Sequence, residues 1–265
     1  MAEPTTEAVT VNVKNGVVVV EMNGPRGNAL SPNFIRSLSK GLYQAEQALG
    51  DVDNPQAFAV VLSGKPTVFC GGLDLKEADT FDRPALCDFV DLFEALFLQL
   101  FAFRAPVIAA MRGPAIAGGA VLALACDERV APLTGPFEFG LNEVTLGLPF
   151  PSAALEIARF SVGQENHVDV LMRGTRFDRA ESLQRALIDE LAADPVESAI
   201  ARAQSFVGLG VRAVQKVKAD LRHDALTKAR AKAIESRRYF AESFSDPKNV
   251  VKRRALLADL SAKKA

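Results

Sequence analysis

Two rhythms of apolar and polar positions run along this chain, and the change from one to the other divides it. Near the start, residues 9–13 and 17–22 are rich in β-branched side chains and are separated by Lys14-Asn15-Gly16. Such runs around an Asn-Gly pair predict two strands joined by a hairpin turn. Ser31 then offers a helix cap with Pro32 at the first helical position. Apolar residues follow at Phe34, Ile35, Leu38, Leu42, Ala45 and Leu49, the spacing of an amphipathic helix lying on a sheet. The alternation continues with a strand over 57–62, a helix over 84–103 and a strand over 106–111. A helix opening at Gly118 or Gly119 and reaching Cys126 comes next, then a strand over 129–131. Alternation of this kind predicts an α/β layered domain.

From Pro151 onward the strand rhythm fades. Residues 153–160, 165–173, 179–191, 195–208, 212–244 (with breaks) and 249–262 all carry helical spacing. The α/β core gives way to a helical tail between Asp178 and Val211, and the division is set at 1–195 for the core and 196–265 for the tail. Gly208-Leu209-Gly210 with Ala213 matches a dinucleotide fingerprint in form, but a helix rather than a strand precedes it. It is taken as a loop between two helices.

Composition alters this picture little. With 265 residues, 49% hydrophobic and 24% charged, the chain can bury a core without disulfides or a structural metal. A net charge of −1 gives no strong field for a polyanion. Cys70, Cys87 and Cys126 form no CxxC pair and lie far from His167 and His223. That spacing argues against a zinc site and fits reduced thiols in a cytosolic setting. The opening residues 1–8 lack the order of a signal peptide, and the final Ala262-Lys263-Lys264-Ala265 is no peroxisomal address, so a cytoplasmic location is expected. The most apolar stretch, 89–111, is interrupted by Asp91, Glu94, Arg104 and Pro106, and no membrane partner is expected. Residues 212–265 hold fifteen Lys/Arg against six Asp/Glu. Most of these read as solvated helix faces, with a phosphate-facing surface as the functional alternative.

Two glycine-rich turns carry the candidate chemistry: Phe69-Cys70-Gly71-Gly72-Leu73-Asp74-Leu75 and Gly113-Pro114-Ala115-Ile116-Ala117-Gly118-Gly119. Each follows a short apolar strand and leads toward a helical stretch, where the first N–H groups lack intrahelical acceptors. Glycine lets a substrate approach such a backbone closely. Two N–H groups aimed at one oxygen would form an oxyanion hole. For either turn alone, a plain tight turn is the simpler account.

The order of segments adds what neither turn supplies. Ala59 to Gly64, the first turn, Pro106 to Gly113, the second turn and Ala125-Cys126-Asp127 together resemble the enoyl-CoA hydratase/isomerase (crotonase) family. Arg26-Gly27-Asn28-Ala29-Leu30-Ser31 is similar to its early CoA-binding segment, and Gly140-Leu141-Asn142-Glu143-Val144 to its catalytic segment. Met172 to Asp178 and Ala186 to Glu190 resemble closing motifs, with Ala186 where glycine is usual. The resemblance implies an α/β fold, a spiral of ββα units with a helical C-terminal trimerisation region, and a homotrimer or a dimer of trimers. It implies an acyl-CoA substrate, coenzyme A being part of the substrate and no separate cofactor being needed. By position the thioester oxygen would be held by the N–H groups of Leu73 and Gly118. CoA would lie along Arg26, Gly27 and Asn28 and along Gly71, Gly72, Asp74 and Leu75, beside Asn142, with basic tail residues near its phosphates.

The resemblance also narrows the reaction. Family hydratases carry a first glutamate three residues after the middle glycine of the second turn, where this chain has Val121; the second glutamate matches Glu143. One carboxylate beside an oxyanion hole suits moving a proton within the substrate. Glu143 would take the α-proton of a 3-enoyl thioester and return it at the γ-carbon, and apolar Val121, Val144 and Leu146 would raise its pKa toward neutrality. The strings around Gly71 and Glu143 resemble Δ3,Δ2-enoyl-CoA isomerases more than hydratases. Asp74 and Asp127 sit at positions that look structural, and nothing selects Glu138, His167 or His223. Substrate walls are expected from 81–103 and from Phe150 onward. Other one-carboxylate acyl-CoA chemistry and a non-catalytic acyl-CoA- or RNA-binding relative stay open as alternatives, nucleic acid not being the expected partner.

Overall fold

The computed structural model describes residues 7–262, with side chains through residue 258. The terminal residues weighed above for a leader and an address signal, 1–6 and 263–265, lie outside the described residues. The first two strands, β1 (Val9–Lys14) and β2 (Val17–Met22), form the expected antiparallel hairpin. Asn15 and Gly16 take positive φ at its turn (51° and 75°), as a tight hairpin that follows strand twist requires. A distorted turn, α1 (Pro25–Asn28), leads into α2 (Pro32–Ala48), where the Ser31 hydroxyl accepts from Phe34 N at 3.2 Å. Then come β3 (Ala59–Ser63), α3 (Leu75–Ala78), α4 (Arg83–Phe101), β4 (Val107–Ala110), β5 (Ala115–Ile116), α5 (Gly118–Ala125), β6 (Glu128–Pro132) and β7 (Phe139–Gly140).

The second half contains α6 (Ser152–Ser161), β8 (Arg176–Phe177), α7 (Arg179–Gln184), β9 (Glu190–Ala192), α8 (Pro195–Gln204), α9 (Val211–Ser245) and α10 (Pro247–Ala262). The described strands form a six-stranded sheet in the order β1-β2-β3-β4-β6-β9 and a three-stranded sheet in the order β5-β7-β8. Pairing within the large sheet is parallel from β2 onward. Every residue of β3 and β4 is buried, as parallel strands covered on both faces require.

Successive side chains on a strand point to opposite faces, and the core divides accordingly. Val18, Val20, Val60, Leu62, Val107 and Ala109 join the larger core, which holds Leu38 and Leu42 of α2 and Phe93 and Phe97 of α4. Val17, Ala59, Val61, Ile108 and Ala110 face Ala199 and Ala203 of α8 on the other side. The α/β layering and the helical C-terminal region are therefore as the sequence implies, and by packing α8 closes the sheet's second face.

Two predicted helices are corrected. Over 179–191 only α7 is helical; Ala186 turns left-handed (φ 54°), and β9 then pairs parallel with β6. Alanine and leucine favour helix intrinsically, and edge pairing overrides them. Over 165–173 a 3-10 turn (Gln164–Asn166) passes into a π-helical turn (Val168–Met172), with Arg173 N donating to Val168 O at 2.9 Å. In the tail, α9 is unbroken where breaks are expected. Several of its cations fasten it to the core. Asp127 accepts from Lys218 at 2.6 Å, from Arg222 at 2.7 Å and from the Val107 N–H at 2.7 Å, a structural role as its position suggests. Among the described residues no helix is long and apolar enough to cross a membrane.

Candidate active site

Both glycine turns emerge at the C-terminal ends of parallel strands and lie against each other. Phe69 N and Cys70 N donate to Pro114 O at 3.0 and 3.3 Å, and Ile116 N donates to Cys70 O at 3.2 Å. The approach is so close that a Cβ on Gly119 would lie 2.0 Å from the Cys70 carbonyl oxygen. Gly72 takes φ 84°, and a Cβ there would lie 2.8 Å from Ile116 O and 3.2 Å from Gly118 N. Leu73 is held by its neighbours: Leu30 N donates to Gly72 O at 2.8 Å, and Asp74 N to Leu30 O at 3.2 Å. Ala117, just before Gly118, has φ 51° and ψ −126°. An L side chain rarely adopts that conformation, and holding one there costs about 1–3 kcal/mol.

The small sheet joins the second turn to the glutamate segment. β5 pairs parallel with β7, Ile116 opposite Gly140, and Ala117 N donates to Gly140 O at 2.8 Å. The chain leaves both strands side by side, one toward Gly118 and the other toward Asn142 and Glu143. Glu143 opens a 3-10 turn (Glu143–Leu146) closed by Gly147 in the left-handed region, and Leu148 N donates back to Glu143 O at 3.1 Å. The Glu143 Oε2 atom is buried and has no hydrogen-bond partner among the described residues. Burial pushes its carboxyl up to about 7, its own N–H pulling weakly the other way. Of the apolar neighbours Val121, Val144 and Leu146, only Leu146 lines the same cavity, and Val121 is wholly buried in the core.

A cavity of about 390 Å³ gathers these parts. Of the residues singled out in the sequence, Arg26, Gly71, Leu73, Asp74, Leu75, Asn142 and Glu143 lie on its wall, together with Ala117 beside the buried Gly118. Gly72 sits behind them, between the turns. Gly27 and Asn28 are not on that wall. The Gly27 carbonyl accepts from Gly71 N at 3.0 Å. Asn28 is fully buried, its amide donating to Phe69 O at 2.9 Å and to Met22 O at 3.3 Å, so it positions the first turn instead of facing the cavity. Arg26 is not a free cation: it pairs with the buried Asp74 and, at 3.5 Å, with Glu77. Asp74 also caps α3, accepting from Glu77 N at 3.2 Å.

The remaining wall was not foreseen in full. Residues 81–103 do not line it; Phe93 of α4 stands one layer back, edge-on to Phe240 at 5.9 Å. Phe240 from α9 and Leu256 and Leu257 from α10 do line it, within the expected region beyond Phe150. So do Lys76 and the half-exposed pair Glu138–Arg176 (3.1 Å), of which only Arg176 falls in a motif, the closing segment Met172 to Asp178. His167 lies elsewhere, a ring nitrogen 3.0 Å from Val162 O.

The family model described as enoyl-CoA hydratase/isomerase matches residues 12–255, almost the whole chain. The chain belongs to the enoyl-CoA hydratase/isomerase family. It is 30% identical over 80% of its length, and 80% of the relative's, to a "Probable enoyl-CoA hydratase" of Rhizobium meliloti (strain 1021). Among solved structures it is similar to a Mycobacterium tuberculosis protein that one structure names an enoyl-CoA isomerase (31% identical, TM-score 0.76, covering 86% of this chain and 96% of that one) and another names a probable enoyl-CoA hydratase (29% identical, TM-score 0.78, covering 92% and 99%). Human mitochondrial Δ3-Δ2-enoyl-CoA isomerase superposes with a TM-score of 0.88 over 97% of this chain and 100% of its own; at 24% identity that likeness speaks to the fold. The crotonase fold and acyl-CoA processing follow from family membership. The relatives' names divide between hydratase and isomerase.

Proposed function

We propose that this enzyme moves the double bond of a 3-enoyl-CoA to the 2-enoyl position, with Glu143 carrying the proton. The observation that carries the reading is the partly buried Glu143 side chain: its Oε2 atom is buried without a partner, and its carboxyl is raised to about 7 on the wall shared with Leu73 and Ala117. A carboxylate poised near neutrality can both accept and return a proton. The N–H groups of Leu73 and Gly118 are the proposed donors to the thioester oxygen; no backbone carbonyl among the described residues accepts from either. Glu143 removes a C2 proton, the electron pair shifts onto that oxygen as a dienolate, and the same proton goes back to C4 as the C2–C3 double bond forms. The carboxylate is regenerated, and no cofactor beyond the CoA of the substrate enters.

Water addition calls for a second carboxylate. Val121 occupies the corresponding helical position and lies in the hydrophobic core. Glu138 does reach the cavity wall, but it is half-exposed and committed to Arg176. We also propose assembly as a homotrimer or a dimer of trimers, supported by the apolar Val217 and Leu221 exposed on α9; sedimentation equilibrium of the purified protein tests it, a monomer mass overturning it.

The deciding assay follows 3-enoyl-CoA and 2-enoyl-CoA turnover by wild type and Glu143→Gln. Wild type is expected to isomerise the former, with kcat/KM rising with pH and levelling above about 7 as Glu143 ionises in the free enzyme. The Gln variant should lose about 10²–10⁴-fold, the usual worth of a positioned acid–base group. Full activity in the variant, or hydration of 2-enoyl-CoA without isomerisation in wild type, would sink the proposal.

A further inference from the structure

One wall of the cavity comes from a helix that is tied to both of its working halves. On α10, Asn249, Arg253, Leu256 and Leu257 recur at helical spacing along one face. The two leucines line the cavity. The two polar residues grip what lies on either side of it.

Asn249 holds the glutamate side. Its Nδ2 donates to Gly147 O and to Ser243 O, both at 3.0 Å. Gly147 ends the turn that begins at Glu143. A Cβ on Gly147 would lie 1.9 Å from Asn249 Oδ1, and its φ of 72° is left-handed, so the fit requires glycine. Arg253 holds the other side. It is 1% exposed, lies 3.6 Å above the Phe244 ring, and donates to Phe244 O at 2.6 Å and to Asp79 Oδ1 at 2.9 Å. Asp79 caps the C-terminal end of α3, whose N-cap is Asp74, the residue after Leu73.

Stability alone explains Arg253 poorly. Its Nε is buried without a partner, and an orphaned donor on a buried charge costs what well-packed apolar side chains would not. What such a side chain supplies is a fixed distance. We infer that α10 is a brace setting the separation between the Leu73 N–H and the Glu143 carboxyl, with Asn249 and Arg253 as its positioning residues. The inference rests on the proton-shuttle reading above. Misplacing reacting groups by about 1 Å can cost about 10²-fold in rate, so the brace acts on turnover and not on substrate affinity.

The test measures kcat and KM for 3-enoyl-CoA in wild type, Asn249→Ala, Asn249→Asp, Arg253→Met and Glu143→Gln. Arg237→Ala is the control, since Arg237 ties α9 to Asp91 of α4 away from the brace. Asn249→Ala, Asn249→Asp and Arg253→Met should each lower kcat by about 10–100-fold with KM held within about threefold, while Arg237→Ala keeps wild-type kcat. The Asp variant keeps the shape of Asn249 and lacks its donor, so it separates the loss of the two Nδ2 bonds, to Gly147 O and Ser243 O, from the loss of packing. Should Arg253→Met fail to fold, Arg253→Lys keeps the charge but replaces the two-nitrogen fork that reaches Phe244 O and Asp79 Oδ1 with a single nitrogen, and is expected to lower kcat with KM unchanged. If Glu143→Gln is inactive while the folded brace variants keep wild-type kcat, or lose only KM, the brace is wrong and the shuttle stands. If Glu143→Gln is active, the shuttle reading fails and takes the brace with it.

Discussion

The two arms of the site are held by different means. The Leu73–Gly118 arm is backbone fitted to backbone: Gly119 against the Cys70 carbonyl, Gly72 against Ile116, and Leu30 bonded to both neighbours of Leu73. Its proposed donors are main-chain groups, so what the sequence must supply there is an absence of side chain. The Glu143 arm is a 3-10 turn with one buried carboxyl oxygen unmatched, and Asn249 reaches it from a helix about a hundred residues further along the chain. There the sequence must supply a particular side chain and then keep it dry. The first arm is therefore expected to be intolerant of added atoms and to keep its turnover when side-chain atoms are removed, whereas the second depends on the side chain it presents.

The sharpest way to break that contrast is Gly119→Ala. One methyl group would sit 2.0 Å from a backbone oxygen that has no flexible end to move aside. Overpacking of this kind costs about 1–3 kcal/mol where side chains can shift, and more where they cannot. A loss of about 3 kcal/mol or more is expected, lowering Tm by roughly 6–12 °C and abolishing turnover as the turns separate. Gly71→Ala is the matched control, its Cβ meeting only Gly27 O at 3.7 Å, and should fold like wild type. Equal melting of the two variants would show that the turns are not in close contact.

How much of this was legible in the sequence follows the same division. The hairpin, the Ser31 cap, the buried strands and both turns announce themselves within a few neighbouring residues, because local sterics and burial period fix them. Glu143 was found only through its surrounding string, since a lone glutamate carries no signal of its own. Most of the small sheet was invisible: Ala115–Ile116 and Arg176–Phe177 are two residues each, too short for any alternation to register. Yet that sheet sets the glutamate segment beside the second turn. The departure at Asn28 has the same origin. Phe69, more than forty residues on, turns an expected substrate contact into a buried strut, and Asp74, equally remote, gives Arg26 an ion pair on the cavity wall. Phe240, Leu256 and Leu257 on the cavity wall are likewise set by where α9 and α10 cross the core.

The second arm is probed by stability against pH. The Glu143 carboxyl holds its proton up to about 7 in the fold against an ordinary value of 4.5. The native state therefore binds that proton more tightly than the unfolded chain does. The stabilisation is fully present below about 4.5 and is lost as pH rises through about 7, where a charge must be buried. Glu143→Gln carries no charge to bury, so its melting temperature should gain on wild type across that window and level off above it. The shift bounds the gain at about 3 kcal/mol, less whatever the Gln amide loses for want of partners. Thermal melts of both proteins from pH 4 to 8 check this, and a Tm difference independent of pH would mean that the carboxyl is hydrated in the fold.

The smallest effect, and the most telling for the comparison, is expected from Leu73→Ala. Leu73 packs its partly buried side chain against the core, so truncation should cost about 1–2 kcal/mol, below the range for fully buried leucines. Its N–H is untouched. The peptide carrying it stays fixed from both sides, through Leu30 N to Gly72 O and Asp74 N to Leu30 O. With 3-enoyl-CoA, kcat should then stay within about threefold of wild type, whereas loss of a preorganised donor is worth about 10²–10³-fold. A fall of that larger size in a well-folded Leu73→Ala protein would mean that the leucine side chain aims the N–H, and the distinction between an arm made of backbone and an arm made of side chain would not hold.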